Sequence, residues 1–330
     1  MKKTSKLKFI DLFAGIGGFH LAFHNAGAEC VFSSEWDAAA RKTYEHNFKK
    51  ISPELFESGN FIGDINSIKD IENDIPDFDI LTGGFPCQPF SNAGHRMGFE
   101  DTRGTLFFNI AEILRIKQPK AFFLENVGGL LNHNEGETFA KIRKVLEEDL
   151  GYSFNFFRVK ACDYGLPQLR PRVFMIGFKD KSIKFNAPAK KALQLTMSEV
   201  FGGECTRKIG FTLRCGGRRS PIDDRRNWDG YIVDGEVKRI TSKEGKKMQG
   251  FPDSFEFPVT ESNAMKQLGN SVAVPAIQAF AEVLVNTLMN VHEEHLLETL
   301  PRRMYIPPMV PVLGTLQANT NPQVDFQPSL

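Results

Sequence analysis

The sequence predicts an α/β protein in which helices cover a parallel β-sheet. Over the first half of the 330 residues, short apolar runs of strand length alternate with longer segments of helical periodicity, an alternation that builds parallel sheets. The composition, 41% hydrophobic and 25% charged, is that of an ordinary globular chain. The length allows a large core and leaves room for a smaller second domain.

The predicted elements follow one another from the N-terminus. Residues 9–13 are predicted as the first strand and 17–26 as the first helix, because apolar residues recur there at helical spacing. Residues 30–33 are predicted as the second strand, and Asp37 is expected to cap a helix that runs to Phe48. Three further apolar runs are predicted as buried parallel strands: 80–82, 121–124 and 173–178.

Changes of composition divide the chain into segments. Residues 1–179 are predicted to form the main domain. From 180 to 240 the periodicity fades while glycine and arginine become frequent, which indicates a separate, loop-rich module. Residues 241–300 are expected to return to the main domain, with 276–288 apolar at helical spacing. The Pro- and Asn-rich stretch 301–330 is expected to be a poorly ordered tail.

Charge and cysteine content narrow the class of protein. The net charge of +1 gives no global basic field, so a polyanion would have to be bound by a local patch. The five cysteines are widely spaced without a Cys-x-x-Cys pair, which favours a reducing compartment and argues against a zinc or disulfide framework. Asp11 and His20 interrupt the apolar stretch near the N-terminus, and no window reaches the ~20 apolar residues of a membrane span. We therefore expect a cytoplasmic protein with no metal site and no membrane partner.

A glycine-rich segment, residues 11–18 (DLFAGIGG), lies where the first strand turns into the first helix. Glycines there let the backbone approach a nucleotide-like ligand, although the spacing is not that of the full dinucleotide fingerprint. Glu35 closes the second predicted strand, where it could accept ribose hydroxyls, and Asp64 could accept from an adenine amino group. The same pattern fits NAD, S-adenosylmethionine, or simply tight turns with helix-capping acids.

Cys87 stands out among the cysteines. It follows Pro86 within the segment 83–91 (GGFPCQPFS), where a strand is predicted to pass into a loop and the sulfur can face a cleft. A thiolate is the strongest side-chain nucleophile, whereas an isolated cysteine is more often a small buried apolar residue. The motifs elsewhere in the chain decide between these interpretations.

Three later features could meet Cys87. Glu125 lies at the carboxyl end of a predicted strand, where open α/β sheets bind their ligands. The segment 168–172 (QLRPR) supplies two guanidiniums, and the segment 267–272 (QLGNSV) could close the pocket. Taken one at a time, these features could equally be surface acids, solvated arginines and a helix cap.

The ordered set of motifs resembles the DNA (cytosine-5) methyltransferase family, in particular the small bacterial type II restriction–modification enzymes. The motifs DLFAGIGGF, SSEWD, GDI, GGFPCQPFS, FLENV, QLRPR, QGFP and QLGNSV occur in that order and cover roughly residues 8–290. The resemblance implies a Rossmann-like S-adenosylmethionine-dependent methyltransferase sheet with a smaller, loop-rich target-recognition domain. It also implies methyl transfer from S-adenosylmethionine to carbon 5 of a flipped-out cytosine in duplex DNA, through a covalent cysteine adduct.

The resemblance further implies roles for individual residues. Cys87 is similar to the family nucleophile, Glu125 to the acid that contacts the target base, and Arg172 to the arginine that supports the base and the cysteine. Trp36 would stack on the adenine of S-adenosylmethionine. The residues that match contacts to this cofactor are Phe13, Gly15, Ile16, Glu35, Trp36, Asp64, Ile65, Pro86, Leu106, Asn270 and Ser271.

Residues 207–226, here called the recognition segment, contain seven basic residues and two acidic ones. Arginine forks suit bidentate reading of guanine edges, and the position between QLRPR and QGFP matches the family's target-recognition segment. A departure from the family is the segment 239–247, which has lysines where arginines usually precede QGFP. The predicted DNA contacts are Arg214, Gly216, Gly217, Arg218, Arg219, Arg225 and Arg226, with Ser91, Arg96 and Arg103 expected to reach phosphates.

Three alternatives stay open from the sequence. A tRNA cytosine-5 methyltransferase of the same family is disfavoured by the arginine-rich glycine loop. A nicotinamide-dependent dehydrogenase would leave the Pro-Cys-Gln motif unexplained, and a non-catalytic DNA-binding regulator would not need both Cys87 and Glu125. The implied partners are double-stranded DNA and, functionally, a cognate restriction endonuclease encoded nearby, and we expect a monomer.

Overall fold

The computed structural model describes residues 6–86 and 105–299, the last eight of them as backbone only. Cys87, Ser91, Arg96, Arg103 and the tail 301–330 lie outside the described residues. The described residues up to Val291 form one compact unit. The division at residues 180 and 240 stays a prediction.

Nine strands are described, and seven of them form one sheet. Along the sheet their order is 3-2-1-4-5-7-6, and strands eight and nine form a separate two-stranded hairpin. Strands one to five pair in parallel. The strands are β1 (Lys8–Leu12), β2 (Glu29–Ser34), β3 (Phe61–Ile62), β4 (Ile80–Gly84), β5 (Ala121–Val127), β6 (Asn155–Val159), β7 (Arg172–Phe178), β8 (Gly230–Val233) and β9 (Glu236–Arg239).

The prediction of a parallel strand at 173–178 is wrong in direction. β7 runs antiparallel both to β5 and to β6. The connection from β6 to β7 contains only one short 3₁₀ turn, Ala161–Asp163, and no α-helix. Parallel neighbours are usually joined by an α-helix that crosses one face of the sheet, and this connection has none. Because β7 is buried on both faces, its apolar composition gave no sign of its direction.

Ten α-helices are described, and they cover both faces of the sheet. Asp37 caps the second helix as predicted, since its carboxylate accepts from the backbone N–H groups of Ala39 and Ala40. The helices are α1 (Gly18–Asn25), α2 (Ala38–Phe48), α3 (Pro53–Glu57), α4 (Ile71–Asp74), α5 (Leu106–Lys117), α6 (Glu137–Lys144), α7 (Met197–Phe201), α8 (Ser242–Gln249), α9 (Glu261–Asn270) and α10 (Val274–Thr299).

Side chains that alternate along the strands build two apolar cores. Phe9 and Phe123 belong to one core, which includes residues of α1, α2 and α10, whereas Ile10 and Phe122 belong to the other, which includes residues of α5 and α6. This alternation is the period-2 geometry of a sheet covered on both faces. The α/β fold class predicted from the sequence is confirmed.

The helix α10 contains the one described segment, Val274–Val291, that is long and apolar enough to cross a membrane. Half of that segment is buried inside the protein. Phe280 packs against Phe123 and Phe174, with ring centroids 6.2 and 5.1 Å apart. Its apolar character is therefore explained by packing against the sheet.

Candidate active site

The predicted functional side chains gather at the carboxyl ends of the central parallel strands. β1 leads into the glycine-rich loop, β2 into Glu35, β4 into Phe85 and Pro86, and β5 ends with Glu125, Asn126 and Val127. These four strands are neighbours in the sheet. Their ends therefore share the edge at which open α/β sheets bind ligands.

Three residues of the loop after β1, two of them glycines, have a left-handed backbone conformation. The φ angles are +57° at Phe13, +57° at Gly15 and +85° at Gly17. A Cβ atom added to Gly17 would lie 2.2 Å from the Phe48 ring, so only glycine fits there. At Gly15 an added Cβ would meet no atom within 4 Å, whereas Ile16 is buried beneath the loop. The loop thus presents open space beside Gly15.

Glu35 fixes the shape of this loop. Its two carboxylate oxygens accept from the backbone N–H groups of Gly15 and Asp37, each at 2.8 Å. Burial raises the pKa of Glu35, and each oxygen keeps a lone pair for a further donor such as a ribose hydroxyl. Next to it, the Trp36 side chain is 81% exposed. A large aromatic ring displayed in this way is available for stacking.

The segment after β3 places Asp64 beside α5. The Asp64 carboxylate accepts from the backbone and side-chain nitrogens of Asn66, both at 2.9 Å. The Asn66 side chain in turn accepts from Asn109 of α5 at 3.1 Å. Ile65 is buried and Leu106, the first residue of α5, is half-buried.

The C-terminal motif reaches the same place from the far end of the chain. A Cβ added to Gly18, at the start of α1, would lie 2.5 Å from Val272 and 3.3 Å from the Ser271 hydroxyl. Asn270 ends α9, and its side-chain oxygen accepts from the Cys215 thiol at 2.5 Å. Ser271 and Val272 therefore pack against the start of α1 beside the loop, and the closing of the pocket by this motif stays a prediction.

These groups fit S-adenosylmethionine. Two buried oxygens at the ends of β1 and β2, Asp11 Oδ2 and Ser34 Oγ, have no hydrogen-bond partner, and burial raises the pKa of Asp11 to about 8. Glu35, the open space at Gly15 and the exposed Trp36 offer acceptors and an aromatic surface to an adenosine ligand. In the part of the chain that the structure describes, no three His, Cys, Asp or Glu side chains form a metal site.

Glu125 and Arg172 form an ion pair at the end of β5. Arg172 Nε lies 2.8 Å from Glu125 Oε1, and the two side chains are 13% and 10% exposed. The antiparallel pairing of β5 with β7 brings the two residues together, since Val127 lies opposite Arg172 in the register. The guanidinium also donates to the Pro171 carbonyl at 2.9 Å. Two of the three predicted catalytic residues are therefore in direct contact.

Asn126 was not singled out by the sequence, although it is part of the FLENV motif. It is 1% exposed, and its side-chain amide donates to the Phe85 carbonyl at 2.9 Å. Its oxygen accepts from the Val127 N–H at 2.8 Å. Phe85 immediately precedes Pro86, so Asn126 ties the chain leading to Cys87 to the strand that carries Glu125.

A cleft of about 770 Å³ opens beside the Glu125–Arg172 pair. Its lining includes five cationic side chains and one carboxylate, Asp163, which pairs with Lys190 at 3.0 Å. Arg158 and Lys160, both exposed, were not predicted as functional. The charged lining residues are Arg158, Lys160, Asp163, Arg172, Lys190 and Arg214. A cleft with this excess of positive charge is suited to a polyanion.

The structure divides the predicted arginines of the recognition segment into two groups. Arg218 and Arg226 are engaged in ion pairs with Asp229 at 3.8 Å and Asp224 at 2.6 Å. Arg218 is half-buried, whereas Arg226 is exposed, as are the predicted residues that form no ion pair in the described part of the chain: Arg214, Gly216, Gly217, Arg219 and Arg225. Asp229, which sequence reasoning missed, is fully buried.

The segment 239–247, which departs from the family pattern, is held in place by contacts of Arg239. Arg239 Nη1 lies 3.0 Å from Asp229 Oδ1, and Arg239 also donates to the Ser220 carbonyl at 2.8 Å. The lysines that follow lie on α8, which Thr241 and Glu244 begin with a capping box. One arginine and a buried aspartate thus fix the base of the recognition segment.

Comparison with known proteins identifies the family. The family model for C-5 cytosine-specific DNA methylases matches residues 7–206 and 205–286. The type II methyltransferase M.HpaII of Haemophilus parainfluenzae is 41% identical over 87% of this chain and 92% of its own length. M.HhaI of Haemophilus parahaemolyticus is 38% identical over 85% of this chain and 94% of its own length.

A solved structure supports the fold alone. The Dnmt2 methyltransferase of S. pombe superposes with a TM-score of 0.62 at 18% identity, over 87% of this chain and 99% of that one. The family match covers most of the chain, including the loop after β1 and the Glu125–Arg172 pair. The chain belongs to the C-5 cytosine-specific DNA methylases, enzymes that transfer a methyl group from S-adenosylmethionine to carbon 5 of cytosine in DNA.

Proposed function

We propose that this DNA methyltransferase belongs to a type II restriction–modification system and methylates one cytosine within a specific duplex sequence. Both relatives named above are called type II methyltransferases. The modification would protect host DNA from a cognate endonuclease, which is a functional partner and need not bind the methyltransferase. We further propose that the enzyme acts as a monomer in the cytoplasm.

The proposed reaction uses Cys87 as the nucleophile on a flipped-out cytosine. Its thiolate adds to carbon 6, and the resulting electron-rich carbon 5 attacks the methyl group. S-adenosylmethionine supplies that methyl group as an electrophilic sulfonium. A base then removes the carbon-5 proton, and the bond between carbon 6 and sulfur breaks to release the thiolate. Flipping is required because carbon 6 is inaccessible within a stacked duplex.

Glu125 and Arg172 are proposed to bind and polarise the base. The Glu125 carboxylate would share a proton with ring nitrogen 3 and accept from the exocyclic amino group, which limits negative charge on the ring as sulfur adds. Arg172 holds that carboxylate at 2.8 Å and keeps Nη2 for a contact with the base or its neighbour. The buried pair thus provides a preformed site for one planar polar ring.

The observation that carries this proposal is the Glu125–Arg172 pair at the junction of two regions. On one side Asn126 binds the Phe85 carbonyl, two residues before Cys87. On the other side the basic cleft contains Arg172 and Arg214. The acid, the chain carrying the nucleophile and a surface suited to phosphates therefore meet at one edge of the sheet.

The alternative of tRNA methylation is not favoured, because the relatives at 41% and 38% identity are named type II methyltransferases. The test is bisulfite sequencing of a plasmid from an expressing host, together with tritiated-methyl transfer to duplex DNA and to tRNA. We expect protected cytosines in a single sequence context and no methylation of tRNA. Cys87→Ser should abolish transfer while DNA binding persists, and Cys205→Ser, at a half-buried cysteine to which no role is assigned, serves as the matched control. Methylation of tRNA instead of DNA, or turnover by Cys87→Ser, would overturn the proposal.

A further inference from the structure

Arg170 lies between the recognition segment and the cofactor-binding end of α9. Its side chain is buried, and its guanidinium donates to the carbonyl oxygens of Leu213 at 3.3 Å, Gly269 at 3.1 Å and Ser271. None of its hydrogen-bond partners in the described part of the chain is a carboxylate. Burial lowers the pKa of Arg170 to about 9, so the group stays cationic at neutral pH. A buried cation is therefore held by backbone carbonyls from two segments distant in sequence.

The backbone of Arg170 is also strained. Its φ angle is +32°, a backbone region that is unfavourable for a residue with a side chain and persists only where the surrounding contacts fix it. The Arg170 N–H donates to the Thr212 hydroxyl at 3.1 Å, so the recognition segment contacts this residue through backbone as well as side chain. Strain of this kind is concentrated at functional sites.

Close backbone packing links the same two segments independently. A Cβ atom added to Gly269 would lie 2.5 Å from the carbonyl carbon of Arg214 and 2.7 Å from the nitrogen of Cys215. The recognition segment therefore passes over α9 at a distance that only glycine allows. The Cys215 thiol donates to Asn270 beside this contact. A movement of residues 214–215 would displace the end of α9.

Two buried glutamines add hydrogen bonds around this contact between the recognition segment and α9, here called the junction. The Gln168 side chain accepts from the Leu213 N–H at 2.9 Å and donates to the Met248 carbonyl at 3.0 Å. The Gln249 side chain donates to the Leu268 carbonyl at 2.6 Å. Both glutamines are fully buried, so breaking these bonds would leave polar groups unpaired away from water, which is unfavourable. The junction is therefore expected to move as a unit.

We propose that Arg170 is a positioning residue that couples the recognition segment, through Thr212–Leu213, to the end of α9, where the cofactor-binding residues Asn270 and Ser271 lie. DNA that orders the recognition segment also orders the end of α9, and cofactor bound beside Asn270 and Ser271 does the reverse. The second ligand then finds its segment already ordered and binds more tightly. Thermodynamic linkage requires the two enhancements to be equal.

The test is the affinity for S-adenosylhomocysteine, measured by calorimetry with and without saturating duplex that carries the sequence identified by methylation mapping. In the wild type we expect DNA to tighten this affinity by about 5–150-fold, the usual range of coupling between sites. Arg170→Met keeps the bulk and removes the donors, and it should reduce the enhancement to about twofold or less. Arg170→Lys keeps the charge but cannot span three carbonyls, so it should restore only part of the coupling.

A second, smaller substitution tests the same coupling in case Arg170→Met does not fold. Thr212→Val removes only the hydroxyl that accepts from the Arg170 N–H and should also weaken the coupling. The matched control is Arg143→Met, whose arginine forms an exposed pair with Glu147 at 2.7 Å and should leave the coupling unchanged. The proposal is overturned if the wild type shows no coupling, or if folded Thr212→Val and Arg170 variants keep the full enhancement.

Discussion

Replacing Glu125 by glutamine separates the catalytic role of the ion pair from its structural role. In the native protein, Arg172 Nε lies 2.8 Å from the carboxylate, and the two side chains are only 13% and 10% exposed. Removing one partner of a fully buried pair costs about 3–5 kcal/mol of stability. Glutamine keeps the shape and an oxygen acceptor, and the pair retains some water contact, so we expect a loss of about 1–2 kcal/mol.

The expected effect of Glu125→Gln on the reaction is larger. Loss of a positioned acid–base group typically slows catalysis by about 10²–10⁴-fold, which corresponds to about 3–5 kcal/mol at the barrier. The assay is single-turnover transfer of a tritiated methyl group to duplex DNA, with S-adenosylhomocysteine affinity and thermal unfolding measured in parallel. We expect the transfer rate to fall by at least about 10²-fold while the cofactor affinity changes by less than about threefold.

The matched control is Glu147→Gln, because Glu147 pairs with Arg143 at 2.7 Å where both side chains are well exposed. Exposed pairs contribute about 0–1 kcal/mol, so this variant should match the wild type in rate and nearly so in stability. Equal losses of rate and cofactor affinity in Glu125→Gln would refute the proposed catalytic role and indicate a structural one.

Four further predictions follow from contacts at the site. Trp36→Ala should weaken S-adenosylhomocysteine binding about tenfold by calorimetry, since the exposed ring is the expected stacking partner; an unchanged affinity would contradict stacking. Asn126→Ala should lower the transfer rate more than it weakens cofactor binding, because it frees the chain leading to Cys87; an equal effect on both would exclude this positioning role. The double variant Arg158→Ala and Lys160→Ala should reduce the slope of log K against log salt by about one per lost phosphate contact, and an unchanged slope would exclude the basic cleft as a DNA surface. Burial raises the pKa of Asp11 from 3.8 to about 8, so its contribution to the free energy of unfolding is full below pH ~4 and is lost as the pH rises through about 8. The stability of Asp11→Asn relative to the wild type should therefore increase over this pH range in urea unfolding. A stability difference that does not change with pH would contradict this prediction.

The sequence predicted the central strands and the gathering of the site, because both depend on local signals. Apolar runs bounded by glycine or acidic residues located β1, β2, β4 and β5 to within a few residues. A carboxylate at the carboxyl end of a buried parallel strand lies at the edge of the sheet where open α/β sheets bind ligands. Glu35 and Glu125 were therefore found without knowledge of their partners, and their proposed roles stay predictions.

The features that the sequence missed depend on contacts between distant segments. The direction of β7 follows from the absence of a crossover helix, and the hairpin of β8 and β9 is short and partly polar. Asn126 contacts Phe85, and Asp229 pairs with Arg218 and Arg239, all of them 10 or more positions away along the chain. Periodicity and composition do not identify such residues, because their role depends on contacts with residues that are distant in sequence.

The most direct test of the covalent mechanism is to trap the adduct. A duplex containing 5-fluorocytosine at the methylated position should let the thiolate add and the methyl group transfer, while fluorine at carbon 5 prevents the final loss of a proton. Mass spectrometry of the digested complex should then find the DNA attached at Cys87, and the Cys87→Ser variant should give no adduct. Attachment at another residue such as the exposed Cys215, or methyl transfer by the wild type without any trapped adduct, would contradict the assignment of Cys87 as the nucleophile.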